Sequence, residues 1–165
     1  MIDQVRIRPE RAADVERIDA LTRLAFDGRE VEVDMITRIR ASADFIPELS
    51  LVAEAGDQLV GHCLLARKTL RGKVMPPVLQ LGPLGVHPAW QRQGIGGRLV
   101  VEAQRLARLR GAEPLIVLVG IPAYYPRFGF TGAMTFGVGP DMPAAMAYPL
   151  VDEVPDYRGT SIPLG

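Results

Sequence analysis

The sequence is poor in the residues that build disulfide and metal frameworks. Its 165 residues include one cysteine, Cys63, and two histidines, His62 and His87. One cysteine excludes an intrachain disulfide framework and a multi-cysteine metal site, and the two histidines do not form a zinc-ligand pattern. We therefore expect a fold that rests on its packed core and a chemistry that uses no metal.

Net charge and long apolar runs are absent as well. The 19 basic and 19 acidic side chains cancel, so no overall field favours nucleic acid or an anionic membrane. No apolar run approaches the ~18 residues of a membrane span, and residues 1–9 lack the apolar stretch of a secretion signal. We expect a single domain over residues 1–165, located in the cytoplasm, with neither nucleic acid nor membrane as a partner.

Hydrophobic periodicity predicts a chain in which strands and helices are mixed. Strands are predicted at residues 5–8, 49–55, 58–69, 78–86, 115–119, 131–138 and 146–151, and helices at 14–26, 30–42, 95–110 and 120–128. His62 and Cys63 fall among apolar residues of one predicted strand, and we interpret both as structural residues of the core. The tail, residues 152–165, has turn signals and little periodicity, and we assign it no structure.

The most informative segment is residues 91–97, a polar turn with three glycines that leads from a predicted strand into a predicted helix. At a helix start, unpaired backbone N–H groups and the positive end of the dipole favour an anion. Glycine lets the backbone approach a phosphate closely, and Arg92 and Arg98 add positive charge. The glycines alone leave open the alternative that the loop only turns the chain.

Two well-known phosphate loops do not fit this segment. The dinucleotide fingerprint G-x-G-x-x-G fails because Leu99 stands at its last position when counted from Gly94. The P-loop pattern fails because the chain contains no Gly-Lys-Ser/Thr. What remains is Q-x-x-G-x-G, which follows a strand that ends in Val86-His87-Pro88.

The run V-H-P-A-W-Q-R-Q-G-I-G-G-R-L at residues 86–99 resembles the acyl-CoA pyrophosphate loop of the GNAT (GCN5-related N-acetyltransferase) superfamily, whose signature is [R/Q]-x-x-G-x-[G/A]. The run Y-Y-P-R-F-G-F at residues 124–130 resembles the family's Tyr-x-x-x-Gly-Phe segment after the fifth strand. Both landmarks have the family's order and separation, and the resemblance covers nearly all of the chain. It is strongest to the small bacterial members of the predicted-acetyltransferase type.

The resemblance implies an α/β (α+β) architecture, the GNAT fold. In it, a mixed, mostly antiparallel sheet of six to seven strands has splayed central parallel strands and is accompanied by about four helices. Gly82-Pro83 in the strand at 78–86 should interrupt regular pairing, because proline donates no ladder bond. This agrees with the family, whose fourth strand carries a bulge and opens to receive the pantetheine arm.

The resemblance also implies acetyl-CoA as co-substrate. The residues it places at the cofactor are Leu84 and Val86, through their backbone, and Gln91, Arg92, Gln93, Gly94, Ile95, Gly96 and Gly97 around the pyrophosphate. Residues 26–34 would help to line the acceptor pocket. The family often has an asparagine just after the fifth strand, whereas this chain has Gly120 and Ile121 and departs from the pattern there.

Tyr125 matches the family tyrosine that donates a proton to the leaving sulfur, because it lies four positions before Gly129. A phenol with a pKa of ~10 is a suitable donor to a thiolate. Tyr124 is the neighbouring competitor. The general base is not identified, since Glu54, Gln80 and His87 are candidates by strand position only.

The predicted function is transfer of an acetyl group from acetyl-CoA to a primary amine, on either a small molecule or a protein. Two alternatives stay open. One is a non-catalytic CoA-binding module of the same fold, and the other is an acyltransferase with a longer acyl group or a hydroxyl acceptor. A nucleic-acid-binding domain is disfavoured by the zero net charge. Whether the chain forms a homodimer is left open.

Overall fold

A computed structural model describes residues 4–164. Within them lie three α-helices: α1 (Val15–Ala25), α2 (Val31–Arg40) and α3 (Ile95–Arg110). The prediction of about four helices is wrong by one, because the segment 120–128 forms a turn followed by a 3₁₀ helix, Tyr125–Phe128. Pro126 lies in its first turn and has no N–H to donate, which disfavours a continuous α-helix here.

The larger sheet has seven strands, as the resemblance implies. They are β1 (Val5–Pro9), β2 (Ser50–Ala55), β3 (Gln58–Lys68), β5 (Val78–Val86), β6 (Leu115–Val119), β7 (Thr131–Gly132) and β9 (Ala145–Pro149), in the order β1-β2-β3-β5-β6-β9-β7. The pairs β1–β2, β2–β3, β6–β9 and β7–β9 are antiparallel, whereas β5 and β6 are parallel. A mixed, mostly antiparallel sheet with a parallel pair is thereby confirmed.

The parallel pairing is short. β5 and β6 pair at Leu79↔Ile116 and Gln80↔Val117, and this register ends before Gly82-Pro83. Gly82 has a φ of +143°, a conformation that side-chain-bearing residues rarely adopt, and Pro83 has no N–H to donate. The predicted interruption of the pairing is confirmed at this point.

The described chain forms two compact units. The first comprises residues 4–66 and 82–103, and its core joins α1 and α2 to β2 and β3 through Ile18, Leu21, Ile36, Val52, Leu59 and Leu64. In the same unit, α3 packs closely on β3 at Gly61. A β-carbon on Gly61 would lie 2.9 Å from Leu99 Cδ1 and 3.0 Å from Ile95 Cγ2, so glycine permits this approach.

The second unit comprises residues 67–81 and 104–164. It contains a small sheet of β4 (Arg71–Gly72), β10 (Thr160–Ser161) and β8 (Val138–Gly139), with β10 in the middle. Part of the tail that the sequence left unassigned is therefore packed, namely Tyr157, Thr160 and Ile162. Tyr157 is fully buried, and its hydroxyl donates to the carbonyl of Pro76 at 2.9 Å.

The strands of this unit differ from the prediction in two respects. The predicted strand at 131–138 breaks into β7, a 3₁₀ helix (Ala133–Phe136) and β8. Gly137 ends the 3₁₀ helix with a φ of +87°, and a β-carbon there would lie 2.4 Å from the backbone nitrogen of Arg158. The strand predicted at 146–151 is found as β9 (Ala145–Pro149), and β10 follows it as a strand that was not predicted. In residues 4–164, no helix has the length and apolarity that crossing a membrane requires.

Candidate functional site

The predicted cofactor loop lies in the first unit, between the end of β5 and the start of α3. Just after β5, the backbone N–H of His87 donates to the carbonyl of Val60 in β3 at 2.8 Å. The His87 ring caps the short 3₁₀ helix Pro88–Trp90, since its Nδ1 accepts from the N–H of Ala89 at 3.0 Å. One ring nitrogen of His87 is thus engaged in shaping the loop, which weakens its candidacy as a general base.

Gln91 ties the loop back to the strand that precedes it. Its side-chain Nε2 donates to the carbonyl of Val86 at 3.1 Å. One N–H of this side-chain amide is therefore used in a hydrogen bond within the protein. This bond holds the turn against the end of β5.

The turn itself has an unusual backbone. Arg92 has a φ of +63° and Gly94 a φ of +83°, so two of three successive residues are left-handed. For a residue with a side chain this region is uncommon, and such residues cluster at ligand-binding sites. Residues 91–94 are all exposed. A β-carbon on Gly94 would meet no atom within 4 Å, so open space lies beside the backbone at this point.

The helix start provides the groups that an anion would need. The first helical hydrogen bond runs from the N–H of Arg98 to the carbonyl of Gly94 at 3.0 Å. The N–H groups of Ile95, Gly96 and Gly97 precede it and have no helical partner, which makes this turn suited to a phosphate. The Ile95 side chain is buried against Gly61, so only its backbone can face a ligand.

The two arginines of this corner differ in role. Arg98 directs Nη2 to the carbonyl of Val5, at 2.9 Å, and so holds β1. Arg98 keeps its positive charge at this corner, but its guanidinium is engaged with a structural partner in β1. The Arg92 side chain is exposed, and among residues 4–164 it forms neither a hydrogen bond nor an ion pair.

The tyrosine pair lies in the second unit, at the start of the 3₁₀ helix Tyr125–Phe128. The two rings meet edge to face, with centroids 5.0 Å apart and an interplanar angle of 87°. Tyr125 packs on the buried Phe130 at 5.7 Å. Tyr124 packs on Phe128 at 5.3 Å, and the Arg127 guanidinium lies over its ring at 4.9 Å. The adjacent residues therefore face different surroundings.

Gly120, directly after β6, makes a close contact with the Tyr125 ring that sequence reasoning did not identify. A β-carbon at Gly120 would lie 2.7 Å from Tyr125 Cε2, closer than such contacts occur. The Tyr125 ring consequently fills the space of the missing side chain. The only signal in the sequence was that Gly120 stands in the region where the family often has asparagine.

Of the remaining base candidates, Glu54 is held in an ion pair. Arg8 Nη2 donates to Glu54 Oε2 at 3.0 Å, and this guanidinium lowers the pKa of the Glu54 carboxyl. The same arginine donates to Asp14 at 2.7 Å and lowers its pKa as well. Glu54 is thus a weakened base that links β1 to β2. Gln80 is half-buried and pairs with Val117 in the sheet.

The structural interpretation of His62 and Cys63 is confirmed. His62 is 2% exposed, and its Nε2 lies 2.9 Å from Ser50 Oγ. Burial lowers the pKa of His62 to about 3, with a smaller effect from the nearby charge of Arg40, so the ring is neutral. Burial raises the pKa of the Cys63 thiol to about 12, which excludes a reactive thiolate at neutral pH.

A family profile described as the acetyltransferase (GNAT) domain matches residues 47–132. The chain is 38% identical over 120 residues to the uncharacterized N-acetyltransferase YjhQ of Escherichia coli K12, an alignment that covers 72% of this chain and 64% of YjhQ. It therefore spans slightly less than two thirds of that relative. It is 31% identical over 125 residues to the uncharacterized N-acetyltransferase YhbS of the same strain, covering 75% of this chain and 72% of YhbS.

Two solved structures are similar as well. The crystal structure of E. coli YhbS in complex with CoA superposes with a TM-score of 0.82 at 25% identity, over 96% of this chain and 87% of that one. A GNAT family acetyltransferase from Brucella melitensis in complex with acetyl-CoA gives a TM-score of 0.67 at 37% identity, over 87% of this chain and 95% of that one.

Proposed function

Because the chain belongs to the GNAT acetyltransferase family, we propose that it transfers an acetyl group from acetyl-CoA to a primary amine. The observation that carries the proposal is the left-handed turn at Arg92 and Gly94, which has open space beside it and leads directly into α3. Similar chains from E. coli and Brucella melitensis are seen with CoA and acetyl-CoA bound.

In this proposal, the N–H groups of residues 94–97 bind the pyrophosphate of acetyl-CoA. Glycine at three of these four positions keeps the backbone open to the phosphate oxygens. Arg92 adds a charge-assisted contact, and Gln91 and Gln93 flank it. The backbone of Leu84 and Val86 at the end of β5 receives the pantetheine arm, since extended backbone offers hydrogen-bonding groups to an extended amide chain.

The reaction forms a C–N bond and breaks the C–S bond of the thioester. The amine nitrogen attacks the carbonyl carbon, and a backbone N–H near Val86 stabilises the negative charge that develops on oxygen. When the C–S bond breaks, Tyr125 gives its phenolic proton to the sulfur and later regains one from solvent. The proton released from the amine nitrogen passes to solvent.

An unprotonated amine is the scarce species in this reaction. An alkyl amine with a pKa of ~10.4 is neutral in about one molecule in 2,500 at pH 7. The described candidates for a base are engaged elsewhere, since Glu54 pairs with Arg8 and His87 caps a 3₁₀ helix. We therefore assign no protein group to this step and expect the rate to rise with pH as the neutral amine becomes more abundant.

The proposal extends to the whole of residues 1–165 as one acetyltransferase domain that works in the cytoplasm. Its acceptor is a small molecule or a protein amine, without nucleic-acid or membrane partners. The segment 26–34 is proposed to help line the acceptor pocket.

The proposal is tested by incubating the full chain with acetyl-CoA and a panel of amines, namely aliphatic diamines, amino acids and lysine peptides. Thiol release and the mass of the product are both measured. An acetylated amine is expected, and its formation should require the chain. CoA binding without any product would instead favour a non-catalytic CoA-binding module. The same panel with longer acyl-CoAs and with alcohols tests the remaining alternatives.

A further inference from the structure

Gly85 of β5 faces the end of α1 at close range. A β-carbon on Gly85 would lie 3.1 Å from Ala25 Cβ and 3.3 Å from Phe26 Cε2. These distances are shorter than ordinary van der Waals contacts. The two side chains thus lie directly over the β5 backbone at a position where that strand has no side chain of its own.

The two faces of β5 differ at this point. Successive side chains of a strand point to opposite faces, so Leu84 and Val86 share one face and Gly85 leaves the other bare. A group bound along the backbone of residues 84–86 meets side chains of the strand itself on the first face. On the second face it meets the methyl group of Ala25, the last residue of α1, and the ring of Phe26, the residue that caps this helix.

The Phe26 ring is held in this position. Its backbone N–H donates to the carbonyl of Thr22 at 3.0 Å, which fixes it as the C-terminal cap of α1. Arg29 contacts the same residue, since its Nε donates to the Phe26 carbonyl at 3.3 Å and its guanidinium lies 5.8 Å from the ring centroid. Phe26 is only half-buried, so its ring also borders space outside the core.

We infer that Phe26 sets the length of the acyl group, admitting acetyl and excluding chains several carbons longer. The inference rests on the proposed function, in which the thioester lies at the backbone of residues 84–86. An acetyl group ends beside Gly85. Each further methylene must extend over the bare face of the strand, where it meets the Phe26 ring.

The inference is tested with CoA, acetyl-CoA, butyryl-CoA and hexanoyl-CoA, whose dissociation constants are measured by calorimetry on the full chain. Wild type should bind hexanoyl-CoA at least about 10-fold more weakly than acetyl-CoA, as expected when methylenes do not fit a pocket. We call the dissociation constant of hexanoyl-CoA divided by that of acetyl-CoA the acyl-length ratio. Phe26→Ala should lower this ratio by about 10-fold, or to a value below one, and Phe26→Leu should give an intermediate value.

Leu24→Ala is the matched control, because Leu24 lies in the last turn of α1, two residues before Phe26, but is 53% exposed. Its ratio should equal that of wild type. Gly85→Ala adds a methyl group at the same point and should weaken acetyl-CoA relative to CoA. Thermal melts verify that each variant is folded, and Phe26→Leu decides the question if Phe26→Ala does not fold.

The CoA measurement separates two kinds of failure. Suppose that CoA binds but that a folded Phe26 variant, either Phe26→Leu or Phe26→Ala, has the same acyl-length ratio as wild type. The role of Phe26 is then overturned while the proposed function stands. The role of Phe26 is likewise overturned if wild type binds all acyl lengths equally. If neither CoA nor any acyl-CoA binds to folded wild type, the proposed function fails, and the inference fails with it.

Discussion

The Tyr125 ring occupies the position that a side chain on Gly120 would need, because a β-carbon on the glycine would lie 2.7 Å from Cε2 of the ring. The position of the Tyr125 ring therefore depends on the absence of a side chain at Gly120, after the end of β6. It also depends on edge-to-face packing with Phe130, with the two ring centroids 5.7 Å apart. Since Tyr125 is the proposed proton donor, the position of its hydroxyl depends on what occupies residue 120.

The first prediction is that Gly120→Ala lowers turnover, because the added methyl group must push the Tyr125 ring aside. Misplacing a catalytic group by about 1 Å can cost roughly 10²-fold in rate. Gly132→Ala is the matched control, since a β-carbon at Gly132 meets no atom within 4 Å and its φ of −56° suits alanine. Equal turnover in the two variants, with both folded, would contradict the positioning role of Gly120.

The second prediction concerns the hydroxyl itself. Tyr125→Phe keeps the ring contact with Phe130 but removes the proton, so single-turnover rates should fall by roughly 10²-fold or more while CoA affinity stays nearly unchanged. Tyr124→Phe should cost little, because Tyr124 packs on Phe128 and Arg127 instead. If Tyr124→Phe proves to be the slow variant, the roles of the two tyrosines are exchanged.

The third prediction separates backbone strain from ligand approach at Gly94. Gly94 has a φ of +83° and Gly56 a φ of +59°, and a β-carbon on either would meet no atom within 4 Å. Replacing either with alanine should therefore lower stability by a similar amount, roughly 1–2 kcal/mol for a left-handed alanine. Gly94→Ala alone should also weaken CoA binding, because its methyl group projects into the space proposed for the phosphates.

Urea unfolding and CoA calorimetry on both variants provide the two readouts. If the Gly94→Ala variant is folded and binds CoA as tightly as Gly56→Ala does, the proposal that residues 94–97 bind the pyrophosphate is wrong.

The fourth prediction is a pH dependence of stability from His62. Burial lowers the pKa of His62 to about 3 in the folded state, whereas an unfolded histidine has a pKa of ~6.5. Below pH ~6.5 the unfolded state therefore binds a proton that the folded state does not, and stability falls as the pH falls. The slope is at most about 1.4 kcal/mol per pH unit.

This slope is measured as the free energy of unfolding in urea at several pH values from 7 down to about 4.5. His62→Gln keeps a polar group that can bond to Ser50 but cannot titrate, so its stability should depend less on pH. The comparison of the two proteins cancels the contributions of Asp14 and Glu54, which both retain. Parallel pH profiles for the two proteins would show that His62 takes up its proton equally in both states.

Local patterns predicted the central strands well. The bounds of β5 (Val78–Val86) and β6 (Leu115–Val119) agree with prediction, because both are apolar runs delimited by proline or glycine. The short C-terminal strands β7, β8 and β10 were mispredicted or missed, because each is two residues long and depends on distant partners. Thr160, for example, pairs with both Gly72 and Val138.

In the candidate site, too, some features could be predicted from local sequence patterns and others could not. The glycines of residues 91–97 predicted a loop at a helix start, and the structure has one. The left-handed Arg92 and the contact of Gly85 with Phe26 have no local pattern in the sequence. The same holds for Arg98, whose bond to Val5 spans 93 residues. The contacts of Gly85 and Arg98 arise from packing of segments far apart in the chain, which periodicity and spacing do not encode.

The central claim, that the turn before α3 binds acetyl-CoA, is tested most directly by calorimetric titration of acetyl-CoA into the folded full chain at low and high salt. We predict saturable binding of one acetyl-CoA per chain that weakens as salt rises, because phosphate contacts are screened. Absence of saturable heat up to a millimolar concentration, on a chain shown to be folded, would contradict the claim.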